Sequence, residues 1–398
     1  MTTRKIALLS ILLTASIFVM GQSADSLQSY SNTITTMMNS DSKLTIGGYA
    51  QIDYNQPLNS ETYENGTLDV HRLVMLFGYK FNERTQFFTE LEFEHVSEVY
   101  VEQAFLNYTI NEYMDFRGGL LLVPMGIINE YHEPPTFNGV ERPHIDNVIA
   151  PTTWREIGLG FTGNITNAQL KYQVYLINGF NGYDGAAKLN GKDGLRKGRQ
   201  KGAESYISSP NATAKVEYYG FRGLNMGLSG YVGKTQSTLY DGLSKDDEAA
   251  KASADSSVVG IAMLGLDARY QLKGFQAKGQ LYFNKLSNTD KYNAFTGGNN
   301  LGSTMIGYYI ETGYNVFRLM PNQKSELIPF IRYEQYNTHF SVDNSVTAND
   351  AYNVNIITAG LGWKITPKAA LKADMQFVKS AAADKASKVF NAGIGIMF

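Results

Sequence analysis

Glu90, Glu92 and Glu94 stand at every second residue of the stretch TELEFEH, and Glu130, His132, Glu133, Glu141, Arg142 and His144 crowd one Pro-rich stretch. Carboxylates and imidazoles at such spacing could bind a metal, move protons, or present charge to a passing solute. His132 with Glu130, Glu133 and His144 can be drawn as a ligand set, but the chain has no H-E-x-x-H spacing. It has no G-x-S-x-G element either, and no Ser-His-Asp set can be assembled from it. Cys is absent, which removes disulfides and thiolate chemistry. The expectation is therefore no enzyme, no metal and no cofactor, with the charges acting electrostatically.

Charges can act that way only if something lines them up, and the dominant period of the chain is two. Strands are expected near 44–54, 68–81, 86–97, 99–110, 114–123, 153–163, 168–180, 210–220, 225–236, 257–272, 275–287, 303–318, 327–339, 351–365, 370–381 and 388–398. In the first, Leu44, Ile46, Ala50, Ile52 and Tyr54 share one face while Thr45, Tyr49, Gln51 and Asp53 share the other. Connections such as Asn82 to Thr85 and Lys273-Gly274 are tight and alternate with longer ones. Short turns at one end and long loops at the other are the mark of a transmembrane β-barrel with an even strand number. A soluble sandwich would scatter its long loops over both ends.

Residues 1–21 carry Arg4 and Lys5 before the apolar run Ile6 to Val19 and read as a signal peptide, with cleavage expected after Gly21. Residues 22–42 form a polar N-terminal extension, flexible or weakly helical, and 43–398 the barrel. Beyond the signal no apolar stretch is long enough for a membrane helix. A barrel needs none, because only alternate residues meet lipid while the backbone pairs around a closed sheet. Removing Arg4 and Lys5 leaves 33 Lys+Arg against 37 Asp+Glu, a net charge of −4 that argues against nucleic acid as a partner.

The stretch from Pro124 to Thr152 is too long to be a simple connection. Its prolines Pro124, Pro134, Pro135, Pro143 and Pro151 stiffen it and remove donors that a buried loop would have to satisfy. The chain ends on VFNAGIGIMF, whose Phe390, Ala392, Ile394, Ile396 and Phe398 face one way and suit a closing strand against lipid.

The pieces GGYAQIDY (47–54), HRLVMLFGYKF (71–81), VEQAFLNY (101–108), GGLLLVPMG (118–126), VERP (140–143) and WREIGLGFTG (154–163) resemble the phosphate-selective porin family, O and P type, within the outer-membrane general porin superfamily. The resemblance covers roughly the N-terminal half. It implies a 16-stranded antiparallel barrel whose third long loop folds inward, a homotrimer, and passive diffusion of small solutes across the outer membrane of a Gram-negative bacterium. Both termini would then be periplasmic. Arg72, Glu141 and Arg142 match its motifs, and the terminal Phe398 resembles the signal read by outer-membrane assembly machinery.

Selecting phosphate needs a file of cations facing the pore. Strand parity gives Arg72, Lys80, Arg117, Lys171, Lys215, Arg269, Lys278, Arg332 and Lys372 against Asp53, Glu90, Glu92, Glu94, Glu156, Glu217, Asp267, Glu311, Glu334 and Asp374, a mixed lumen. General diffusion of small hydrophilic solutes or ions is thus expected over a phosphate channel; a barrel serving as adhesin or partner-binding protein is the other alternative. The residues expected to line or narrow the pore are Arg72, Glu90, Glu92, Glu94, Arg117, Glu130, Glu141, Arg142, Arg269 and Arg332. The basic stretch from Lys188 to Lys201 reads as a solvated, flexible loop, or else as an anion funnel or a grip on lipopolysaccharide phosphates.

Overall fold

The computed structural model describes residues 32–58, 61–344 and 346–398; the expected signal peptide and the start of the N-terminal extension lie outside them. Sixteen strands form a closed antiparallel barrel. They are β1 (Leu44–Leu58), β2 (Thr67–Lys80), β3 (Thr85–Glu94), β4 (Glu98–Asn111), β5 (Met114–Leu122), β6 (Arg155–Ile165), β7 (Leu170–Ile177) and β8 (Asn211–Phe221), then β9 (Leu224–Lys234), β10 (Gly260–Leu272), β11 (Phe275–Ser287), β12 (Thr304–Tyr314), β13 (Glu326–Ser341), β14 (Asn353–Thr366), β15 (Ala369–Ser380) and β16 (Ser387–Met397). Each pairs with its sequence neighbour, and β1 closes on β16 with Gln51 opposite Gly395.

Side-chain alternation explains why these segments are strands. On β6, Ile157, Leu159 and Phe161 are exposed while Glu156 and Thr162 on either side of that run are buried. On β13, Ile331 is exposed beside fully buried Arg332. An apolar exterior and a polar interior invert a soluble core, and the inversion is stable only if lipid covers the outside and the inside is filled or wet.

The last strand behaves as its pattern indicates: Phe390, Ile394, Ile396 and Phe398 are exposed. Phe398 exchanges backbone hydrogen bonds with Gly48 at 2.9 and 3.1 Å. A Cβ on Gly48 would stand 2.7 Å from the Phe398 ring and 2.4 Å from the Val74 carbonyl, so glycine is what lets the terminus close the ladder.

Two details differ from the parity reading. The β3–β4 register slips between Glu90 opposite Gln103 and Leu91 opposite Val101. The bulge turns both Glu102 and Gln103 inward, so Glu102 joins the interior although alternation assigns it outward. The second difference concerns residues 32–42. Thr33–Met38 form a short helix, α1, capped by the Asn32 side chain. It is tied to the barrel: Thr33 donates from N and Oγ1 to Glu133 at 3.2 and 2.7 Å, Lys80 Nζ donates to the Ser40 carbonyl, and Ile34 and Met37 are buried. It sits at the end of the tight turns.

Candidate functional site

The segment between β5 and β6 is closed at its root by one side chain. Asn129 Nδ2 donates to the carbonyls of Val123 (2.7 Å) and Trp154 (2.9 Å), and its Oδ1 accepts from Trp154 N at 2.9 Å. Trp154, fully buried, stacks on Phe180 at 4.2 Å. From that root the segment reaches wall strands on all sides. Asn55 on β1 donates to Glu141 (2.9 Å), Lys215 on β8 to the Gly126 carbonyl (2.7 Å), and Lys372 on β15 to the carbonyls of Pro134 (2.5 Å) and Gly139 (2.9 Å). In the other direction Ile127 N donates to Gln280 on β11 (2.6 Å), Asn138 to Glu311 on β12 (2.9 Å), His144 N to Glu334 on β13 (2.6 Å) and Val140 N to Asp374 on β15 (2.7 Å). A segment whose main-chain groups are satisfied by buried wall side chains of distant strands is held far more tightly than a surface loop.

The residues singled out from sequence fall into three groups and one outlier. The first holds Arg72, Glu90, Glu92, Glu94, Glu141 and Arg142. Arg72 Nη1 is 3.5 Å from Glu92, Glu90 accepts from Tyr49 (2.9 Å) and Gln103 (2.6 Å), and Arg142 donates to the His132 carbonyl. Of the acidic stripe, Glu92 is thus answered by a guanidinium, while Glu90 is held by a phenol and an amide. In the second, Lys215 meets Glu130 at 2.6 Å and Glu217 at 3.6 Å, while Arg269 meets Glu217 at 2.5 Å and lies over the Tyr131 ring at 4.1 Å. In the third, Arg332 lies 3.4 Å from Glu311 and 3.2 Å from Glu334, with Lys278 3.3 Å from Glu311. Arg117 is the outlier: it bonds to Asn107 at 2.8 Å and touches Met38 of the N-terminal segment.

Burial shapes two ionisable groups of the segment. It opposes charge on His132, yet the Glu102 and Glu90 carboxylates outweigh it and push the imidazole up to about 9. Burial, with a smaller push from the Glu334 carboxylate, moves the Asp146 carboxyl up to about 7 against hydrogen bonds from Gln280 and Tyr282.

Above the segment, on the long-loop side, two cavities of about 670 and 260 Å³ share Asn147 and Arg196. The larger is lined by Lys188, Arg196, Lys197, Arg199 and Lys201 with Asp193 as its acid. Here the expectation of a solvated loop fails. Leu189 and Leu195 are fully buried, Leu189 N donates to Tyr292 at 3.1 Å, Gly191 N to the Asn299 carbonyl at 3.1 Å, and Arg199 to Thr153 at 2.7 Å. The apolar residues interleaved with the cations tie this loop over the barrel mouth. Lys188 pairs with Asp184 and Lys197 with Asp193, both at 2.7 Å. Among the described residues, Arg196, Arg199 and Lys201 have no carboxylate within 4.0 Å. Burial, with Arg196 and Arg155 beside it, pushes the Arg199 guanidinium down to about 9, so it is cationic at neutral pH and crowded by like charge.

On the short-turn side, cavities of about 260 and 360 Å³ lie against Tyr131 from below, the second also bounded by Asn32, Thr35 and Met38. Sequence reading missed Glu102, hidden by its bulge, and Asn129, which no motif marks. The pairing of Lys215 with Glu130, 85 residues apart in the chain, carries no local signal.

No family model matches the chain. Solved structures share the fold at low identity. The outer membrane channel DcaP of Acinetobacter baumannii aligns with a TM-score of 0.57 and 11% identity over 89% of this chain and 97% of that one. An anion-selective porin from Comamonas acidovorans gives 0.56 and 14% over 89% and 99%. Salmonella typhi OmpF, solved with daunomycin, gives 0.56 and 13% over 89% and 97%. In sequence, a protein of Aquifex aeolicus described as uncharacterized is 31% identical over 373 residues, 89% of this chain and 80% of its own. The chain belongs to one family with that Aquifex aeolicus protein, built on the closed sixteen-stranded barrel of the outer-membrane porins.

Proposed function

We propose that this protein is an outer-membrane porin of a Gram-negative bacterium, through which small hydrophilic solutes and ions diffuse passively. Both termini face the periplasm in this reading, and residues 123–154 fold into the lumen and narrow it. One observation carries the reading: the loop is hydrogen-bonded to buried polar side chains from Gln51 on β1 round to Asp374 on β15 in a barrel whose outside is apolar. A barrel of this strand number leaves an interior wide enough to conduct once a loop is in it. The motifs of the N-terminal half support a homotrimer, and the exposed Phe398 strand supports handling by the assembly machinery.

Conductance of the purified protein in planar bilayers tests this. Discrete channel steps are expected, and removal of residues 130–144 should enlarge them severalfold. A barrel that inserts and never conducts would instead favour the adhesin or partner-binding reading.

A second reading refines the first. Around the loop Lys215, Arg269, Lys278 and Arg332 each sit against a carboxylate, so they make no file of free cations for phosphate selection there. The vestibule does hold cations without acidic partners, Arg196, Arg199 and Lys201, and a cationic mouth raises the local concentration of anions. A weak anion preference set at the mouth follows, readable as a reversal potential in a salt gradient. Lipopolysaccharide phosphates are the competing claim on the same cations; a preference unchanged by their removal would favour it.

A further inference from the structure

His132 lies on the interior loop, but its imidazole faces the wall. Nδ1 is 3.1 Å from the Asn129 carbonyl, an acceptor, so Nδ1 carries the proton and Nε2 is left as the reactive nitrogen. Nε2 is 3.6 Å from Glu90 Oε1 and 3.7 Å from Glu102 Oε2. These three side chains are at most 4% exposed, and Glu102 is not exposed at all.

Three features mark the space between them. Both carboxylate oxygens of Glu102 are buried with no hydrogen-bond partner, which is costly for a carboxylate unless something cationic sits against it. The distances are wrong for a simple ion pair: an imidazolium donating to a carboxylate closes to about 2.7–2.9 Å on one oxygen. Here Nε2 stands almost equally far from two. Ligand atoms on a tetrahedral ion at about 2.1 Å are roughly 3.4 Å apart, close to what is seen. Finally, the surroundings are built to aim the ligands. Tyr49 Oη and the Gln103 amide hold Glu90 at 2.9 and 2.6 Å, the Tyr49 ring stands edge-on to His132 at 5.8 Å, and the β4 bulge turns Glu102 inward.

We propose that Glu90, Glu102 and His132 form a divalent transition-metal site, with zinc the best match, that pins the interior loop to strands β3 and β4. One imidazole and two carboxylates suit Zn²⁺, leaving a fourth position for water. Neither neighbouring guanidinium closes on Glu102: Arg72 is engaged with Glu92 at 3.5 Å, and Arg142 donates to the His132 carbonyl at 3.3 Å. Binding displaces the proton that Nε2 otherwise takes up. These are not the ligands that spacing along the chain proposes, since Glu130 and Glu133 turn away to Lys215 and Thr33. The site is independent of the channel reading: a barrel could conduct without it, or hold the ion without conducting.

The test uses the full-length protein in detergent, stripped with chelator and then given Zn²⁺ alone. Asp69, His71 and His95 form a second, more exposed grouping at the rim, so each measurement is repeated in a His95→Ala background to exclude uptake there. Expected are one zinc per chain after gel filtration, a higher thermal transition with zinc, and an X-ray absorption shell of one nitrogen and several oxygens at about 2.0–2.1 Å. Glu102→Gln and His132→Gln should each lose the stoichiometric zinc and the zinc-dependent shift. Heat-modifiable gel mobility shows whether the variants still fold. If they do not, the absorption shell of the unsubstituted ligand set decides, because an all-oxygen shell or none contradicts a histidine ligand. Zinc uptake that survives both substitutions, or no uptake above background in the His95→Ala protein, overturns the proposal.

Discussion

Around the segment between β5 and β6, Lys215, Arg269 and Arg332 each meet a carboxylate within 3.4 Å, and Lys372 is held by two carbonyls. In the vestibule above, Arg196, Arg199 and Lys201 have no such partner among the described residues, and all three are only half-buried. The difference separates two jobs that charge can do. A desolvated cation must be paired or it destabilises the fold, so the charges deep in the barrel serve mainly to hold the loop. A cation at a wet mouth can stay unpaired and act on solutes at a distance.

Breaking a deep pair should have the largest effect. Lys215→Met leaves Glu130, Glu217 and Asp267 without their common cation and should cost about 3–5 kcal/mol, read as a large fall in the thermal transition. It should change ion preference little; a change as large as that from the vestibule would show that both regions select. Asn129→Ala removes the three side-chain bonds at the loop root and leaves the buried Trp154 N–H without its acceptor, for a cost of about 1–3 kcal/mol with noisier channel openings. Unaltered stability and noise would mean that the wall contacts alone fix the loop.

The vestibule comes next. Replacing Arg196, Arg199 and Lys201 together by Ala should lower the anion-to-cation permeability ratio severalfold in dilute salt with little loss of stability. The contrast should fade towards 1 M salt, where the screening length is about 3 Å. Smallest of all is Lys188→Ala, which breaks a part-exposed pair with Asp184 and should cost less than about 1 kcal/mol. A selectivity change from that single substitution equal to the triple would show that the paired lysines also act on solutes.

Much of this was legible in the sequence. Alternation located all sixteen strands, because a strand with one face to lipid and one to a polar interior must change character at every residue. Parity also put Asp53, Arg72, Glu90, Lys215, Glu311 and Arg332 on the interior face, where they are buried. It failed at Glu102, since one extra residue in β4 reverses the phase without altering the composition around it. It failed too on the basic loop, where Leu189 and Leu195 looked incidental among lysines but proved to be anchors.

By itself the sequence determined the closed sheet, the polarity of its two faces, the ends that carry short and long connections, and the segment too long to be a turn. Those follow from local period and spacing, which any stretch of chain displays on its own. Only the tertiary structure decided which charges meet. Glu130 finds Lys215, and His132 finds Glu90 and Glu102, because a curled sheet and a long connection hydrogen-bonded to its strands bring together residues far apart in the chain. Such proximity is a property of the closed circumference, and no window along the sequence contains it.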